Sequence, residues 1–131
     1  MIDHATEIIK ELLIKEENVN IAVDMTAGNG HDSKFILENN KPKKLFAFDI
    51  QELAKENTLA LIGKNPNFSF ILDSHANIDK YIKEKIDLVV FNLGYLPKGD
   101  KNITTNWRST IIAIKKSLEL LSPSGKIFIT V

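Results

Sequence analysis

Five short apolar runs, none of them alternating with polar residues, constrain this chain more than any other feature. They are Ile21-Ala22-Val23, Leu45-Phe46-Ala47-Phe48, Phe68 to Leu72, Ile86 to Phe91 and Ile127 to Val131. A half-exposed strand shows one polar face, and these runs do not, so each reads as a strand buried on both sides. The segments between them carry helical spacing. Ala5, Ile8, Ile9, Leu12 and Leu13 recur at helical period, with Asp3 placed to cap the start. Phe35, Ile36 and Leu37 lie in a second helix that Pro42 breaks, and Leu53, Ala54, Asn57, Leu61 and Ile62 in a third that Gly63 stops. Trp107, Ile111, Ile114, Leu118 and Leu121 share one face of a long helix that Thr104 or Thr105 could cap, and Ser122-Pro123-Ser124-Gly125 turns the chain into the last strand. Strands alternating with helices and joined by right-handed crossovers give an α/β fold with a doubly wound parallel sheet.

A chain of 131 residues fits one domain, 1–131, with a real core. Lys plus Arg and Asp plus Glu both number 17, so net charge neither favours nor excludes a nucleic-acid partner. The absence of cysteine removes disulfides, thiolate zinc sites and cysteine nucleophiles, and fits a cytoplasmic protein. Met1-Ile2-Asp3-His4 opens no signal peptide, and no run approaches the ~20 apolar residues that span a bilayer, so no membrane is expected. His4, His31 and His75 are too scattered to suggest a metal site. Val131 closes a strand, which suggests a sheet cut short after strand five and an apolar edge that a homodimer would cover.

Ligands of doubly wound sheets bind beyond the carboxyl ends of the strands, where the strand order reverses. The first strand leads there into Asp24-Met25-Thr26-Ala27-Gly28-Asn29-Gly30-His31-Asp32-Ser33. Gly28 and Gly30 would let backbone approach a ligand closely. Asp49, ending the second strand, could accept both hydroxyls of a ribose. A lone G-x-G also serves dinucleotide enzymes, so an NAD-dependent oxidoreductase is the competing reading. Ser33 replaces the third glycine of the pyrophosphate fingerprint, and Asp24 would repel a pyrophosphate but attract the ammonium of a methionine moiety. The balance favours S-adenosylmethionine as cofactor.

A second informative stretch follows strand four: Phe91-Asn92-Leu93-Gly94-Tyr95-Leu96-Pro97. The amide oxygen of Asn92 and the carbonyl of Leu93 could both accept from one amine and aim its lone pair at a methyl donor. Tyr95 could stack a base or cover the donor. Lys98, Lys101 and Arg108 flank this loop and could meet phosphates, whereas Lys41, Lys43 and Lys44 read as a solvated loop.

These stretches, with Phe48-Asp49-Ile50-Gln51, Asp73-Ser74-His75 and the continuation Lys98-Gly99-Asp100-Lys101 and Ile103-Thr104-Thr105, occur in the order found in the putative rRNA methylase family, which the chain resembles over almost its whole length. The resemblance implies the Rossmann-like fold of class I methyltransferases, truncated here after strand five. It also implies an RNA substrate, since some members methylate the aminomethyl group of the tRNA wobble uridine. Carried over, it places Asp24, Gly28 and Gly30 around the methionine part of the cofactor, with Thr26, Ala27, Asn29 and Asn92 also binding it. Asp49 and Gln51 fall on the ribose side, Asp73 and Ser74 at the adenine, and Asn92, Leu93 and Tyr95 at the reacting amine. Asn92 to Tyr95 is similar to the N-P-P-Y signature of amine methyltransferases, with Leu93-Gly94 in place of the two prolines. The family continues into a further helix and strand pair, so a non-catalytic cofactor-binding fragment is the remaining alternative.

Overall fold

The structure is a computed structural model that describes residues 4–93 and 107–131. The apolar runs become β1 (Ile21–Asp24), β2 (Lys44–Asp49), β3 (Phe68–Leu72), β4 (Ile86–Asn92) and β5 (Leu121–Thr130). All neighbours pair parallel, in the order β3-β2-β1-β4-β5. The helices are α1 (His4–Ile14), α2 (His31–Asn39), α3 (Glu52–Ile62), α4 (Ile78–Tyr81), entered through a 3₁₀ turn at His75–Asn77, and α5 (Trp107–Leu120).

Side chains of one strand point alternately to opposite faces, and here both faces are covered. Ile21, Val23, Val89 and Phe91 join Phe48, Ile78, Ile82 and Ala113 on the α4–α5 side. Ala22, Leu88, Val90 and Leu45 join Leu13, Val19 and Ile36 on the α1–α2 side. That division explains runs with no polar alternation. Phe48 and Phe91 are fully buried, each stabilising the fold by roughly 1.5–3 kcal/mol. After β3 the chain returns to pair β4 with β1, Ala22 opposite Leu88, and the order reverses there. The crevice of such a sheet opens between the carboxyl ends of β1 and β4.

Two expectations need correction. On α5, Trp107, Ile111 and Leu118 are 50%, 48% and 59% exposed, and the sheet-facing stripe is Thr110, Ala113 and Ser117, with Ile114 beside it. Small residues let α5 lie close to the 3₁₀ turn, where Lys116 Nζ donates to the Ala76 carbonyl at 2.7 Å and pairs with Asp79 at 2.8 Å. Ser122-Pro123-Ser124-Gly125 does not precede the last strand but lies inside it. Leu121 to Lys126 spans the same stretch of sheet as Ile86 to Leu88, so the surplus residues bulge out of the ladder.

The bulge has a partner. Asp87 Oδ1 accepts from Ser122 Oγ at 2.8 Å, and its Oδ2 accepts from the amides of Asn20 and Ile21 at 2.8 and 3.1 Å. One carboxylate thus ties β4 to the entry of β1 and to β5, at the end of the sheet away from the crevice. Burial opposes its charge, but the bonds from Ile21, Ser122 and Asn20 together hold the carboxyl below its ordinary value of 3.8. A depressed carboxyl stabilises the fold above its unfolded value and loses that contribution as pH falls through the folded one. Asp87→Ala should lower stability by about 2 kcal/mol at neutral pH. Urea titration should show the gap to the unsubstituted chain narrowing below about pH 4.

Candidate functional site

The turn after β1 is shaped from below. Asp24 is fully buried; its Oδ1 accepts from the Thr26 amide at 3.1 Å and its Oδ2 from Ser33 Oγ at 2.7 Å. Ser33, in the place where the dinucleotide fingerprint has glycine, is therefore the hydroxyl that holds this acid. Burial, and then repulsion from Asp32, push the Asp24 carboxyl up to about 7. Asp49 braces the same turn from the side, accepting from the Gly28 amide and the Gln51 amide at 3.0 Å each. Each of its oxygens keeps a second lone pair.

The two glycines do different work. Gly28 has φ +55°, and a Cβ there would meet nothing closer than the Thr26 carbonyl at 3.9 Å, so its open side suits a ligand. Gly30 has φ +91°, and a Cβ there would lie 2.9–3.0 Å from Thr58 of α3. The missing side chain of Gly30 therefore makes room for α3. Thr58 Oγ1 also donates to the Gly28 carbonyl at 3.1 Å, and Asn57 to Asn29 Oδ1 at 3.1 Å, so α3 fixes the turn.

Above the turn lies a cleft of about 330 Å³ lined by Lys10, Thr26, Ala27, Gly28, Asn29, His31, Asp32 and Asn92. That is the size of a pocket for one small molecule. Its β4 wall is joined to the turn by the Asn92 amide, which donates to Thr26 Oγ1 at 2.7 Å, while Asn92 Nδ2 donates to Asp32 Oδ2 at 3.3 Å. With Nδ2 facing Asp32, the acceptor end of this amide is Oδ1.

Of the residues expected at the site, Thr26, Ala27, Gly28, Asn29 and Asn92 come together on the cleft wall. Asp24 and Gly30 support it from beneath and behind. Gln51 lies outside the lining, at the start of α3. Asp73 accepts from the Ser74 amide, Asn77 and Tyr81, and the Tyr81 bond first among these holds its carboxyl below the ordinary value. Ser74 caps the 3₁₀ turn, so this pair orders the chain after β3. The Leu93 side chain is buried, and its amide donates to the Thr130 carbonyl at 2.7 Å. Tyr95, Gly94, Pro97, Lys98 and Lys101 lie outside the described residues.

Three lining residues were not among the expected site residues. Asp32 had a signal, being an acid in the first turn of the helix that follows the glycines. His31 is its neighbour. Lys10 had none, because nothing local to α1 shows that this helix crosses the cleft. His75 is half-buried: its Nδ1 lies 2.8 Å from the Met25 carbonyl and its ring packs edge-on against Phe91. Burial lowers its pKa, keeping it neutral under the turn. Among the described residues no group of three or more His, Asp or Glu is placed to hold a metal ion, and no helix is long and apolar enough to cross a membrane.

Comparison with known proteins follows the same lines. The chain is 32% identical over 123 residues to a chloroplastic tRNA (mnm(5)s(2)U34)-methyltransferase of Arabidopsis thaliana, covering 83% of this chain and 45% of that one. It is 37% identical over 98 residues to ribosomal RNA small subunit methyltransferase H of Cytophaga hutchinsonii, covering 70% of this chain and 32% of that protein. The chain thus spans less than half the length of these curated relatives. A Streptococcus mutans methyltransferase solved in complex with SAH superposes with TM-score 0.80 at 40% identity, over 98% of this chain and 73% of that one. The family described as "Putative rRNA methylase" matches residues 45–131, well over half of the chain, and to that family this protein belongs.

Proposed function

We propose that this protein binds S-adenosylmethionine in the cleft above Thr26–Gly28 and methylates RNA, with the aminomethyl group of the tRNA wobble uridine as its acceptor. The observation that carries the reading is an acid-ringed cleft, Asp24 beneath, Asp32 in the wall and Asp49 at the side, beside the open face of Gly28. Three carboxylates around a glycine turn suit a ligand with an ammonium and a ribose, and oppose the pyrophosphate that a nicotinamide cofactor would bring. The SAH complex of the S. mutans relative supports the cofactor, and the Arabidopsis relative supports the acceptor.

The cofactor supplies an electrophilic methyl group on a sulfonium. The chain's own part is placement. Thr26 to Gly28 would hold the amino-acid end and Asp49 the ribose. Asn92, at the mouth between β1 and β4, would accept from the incoming amine through Oδ1 and orient its lone pair. Only the neutral form of an aliphatic amine carries a lone pair, so the amine reacts in that form.

Two measurements test this. Calorimetry should show S-adenosylhomocysteine binding that Asp49→Ala weakens by about 1.5–3 kcal/mol, the usual loss for a charge-assisted bond. Incubation with tRNA carrying the unmethylated aminomethyl uridine should add one methyl per wobble base, read by nucleoside mass analysis. Transfer to ribosomal RNA alone would replace tRNA by rRNA as the substrate, and NADH bound in preference to S-adenosylhomocysteine would refute the cofactor.

A further inference from the structure

Lys10 belongs to neither strand end, yet it lines the cleft. It is half-buried on α1, with its ammonium 5.4 Å from the centroid of the Phe35 ring. Among the described residues no carboxylate forms an ion pair with it. Phe35 follows Asp32 by three positions on α2, and Lys10 and Asp32 both line the cleft. Among the described residues, the other charge around this wall is acidic, from Asp32, Asp24 and Asp49.

With Lys10 as the cation and several acids among its described residues, the cleft repels a plain anion and leaves a plain cation facing Lys10. A zwitterion satisfies both ends. The geometry points to Lys10 as the residue that binds the carboxylate of the ligand's amino-acid moiety, with the ammonium of that moiety turned towards Asp32. This rests on the cofactor reading above and adds a specificity residue to it. The aromatic ring beneath the lysine limits where the ammonium can swing and keeps it over the cleft. Selectivity follows: an adenosine ligand that lacks the amino-acid carboxylate should gain nothing from Lys10.

The test compares two ligands on two variants by calorimetry. S-adenosylhomocysteine carries the carboxylate, and 5′-methylthioadenosine lacks the whole amino-acid arm. Lys10→Gln should weaken S-adenosylhomocysteine about tenfold or more, the loss expected when a charge-assisted bond disappears. It should change 5′-methylthioadenosine by less than about twofold on the same scale. Lys10→Arg should restore much of the lost affinity. Equal losses for both ligands would mean general damage to the cleft, and unchanged S-adenosylhomocysteine affinity would mean that Lys10 does not touch the ligand. Either result overturns the assignment, as would a Lys10→Gln defect confined to tRNA binding, which would make Lys10 a phosphate contact. If the unsubstituted chain bound neither ligand, the cofactor reading itself would fall.

Discussion

Gly30→Ala should destabilise the protein by about 2 to 5 kcal/mol, combining the strain of a left-handed backbone with a forced contact. The added methyl would stand 2.9 Å from Thr58 Cγ2 and 3.0 Å from its Cα and Oγ1. Thr58→Ala in the same chain removes the first and last of these but leaves the Cα, so it should rescue only part of the loss. It also removes the bond to the Gly28 carbonyl. Gly63, with φ +73° and no atom within 4 Å of its missing Cβ, separates the two contributions. Gly63→Ala should show backbone strain alone, about 1–3 kcal/mol, because φ +73° with ψ −159° is a region essentially only glycine adopts. Thermal melts should therefore rank Gly30→Ala well below Gly63→Ala, and equal melting temperatures would show that α3 yields freely. Because α3 fixes the cofactor turn, S-adenosylhomocysteine affinity should fall in Gly30→Ala and not in Gly63→Ala.

Asp24→Asn should move stability and binding in opposite directions. The folded carboxyl titrates near 7, raised by burial first and by Asp32 second, against 3.8 as its ordinary value. The folded state therefore holds a proton that the unfolded chain has released, and stability declines as pH rises from about 4 to about 7. Asparagine can still accept from the Thr26 amide and bond Ser33 Oγ, without the buried charge. The variant should melt higher than the unsubstituted protein at pH 8, with the difference shrinking on acidification and closing near pH 4. Cofactor binding should show the reverse, about tenfold weaker at pH 8, since the charge beneath the cleft attracts the ligand's ammonium. Binding to the unsubstituted chain should strengthen with pH through about 7 as Asp24 ionises, and this rise should be absent in the variant. A lower melting temperature at pH 8 in Asp24→Asn would show that the carboxylate is stabilising despite its burial. Such a trade of stability for affinity is common at functional sites.

Much of the architecture was legible because it rests on local pattern. Strands β1 to β4 lie within a residue or two of the apolar runs, and the acids Asp24 and Asp49 end β1 and β2 as expected. What the residues did not disclose depends on how elements meet. The stripe Trp107, Ile111 and Leu118 has the period of a core face, yet Thr110, Ala113 and Ser117 face the sheet because the 3₁₀ turn leaves little room there. Asp87 carried a signal that went unread, a lone charge between Ile86 and Leu88 in an otherwise apolar strand. At the site, Asp24 was assigned to the ligand's ammonium by charge alone, whereas its direct partners are Thr26 and Ser33. Any influence it has on a ligand acts through the field and not through contact. Lys10 could not be found from its own helix, since its place over the cleft exists only once α1 has docked against α2.

The bond between Thr26 Oγ1 and the Asn92 amide joins positions 66 apart in the chain. β1, β2 and β3 find their neighbours nearby in sequence, through α2 and α3. β4 must return across all of them to pair with β1. Closure over that length costs about 1 kcal/mol more than over the stretch from Ala22 to Leu45, which disfavours the β1–β4 pairing as an early event in folding. On a ribosome, the glycine turn and its braces from Asp49 and Thr58 can assemble while residue 92 is still being synthesised. A half-cleft of that kind offers the turn but neither Asn92 nor the wall it builds. A ligand that bridged the turn and Asn92 would bind only once β4 has docked, and would stabilise that pairing.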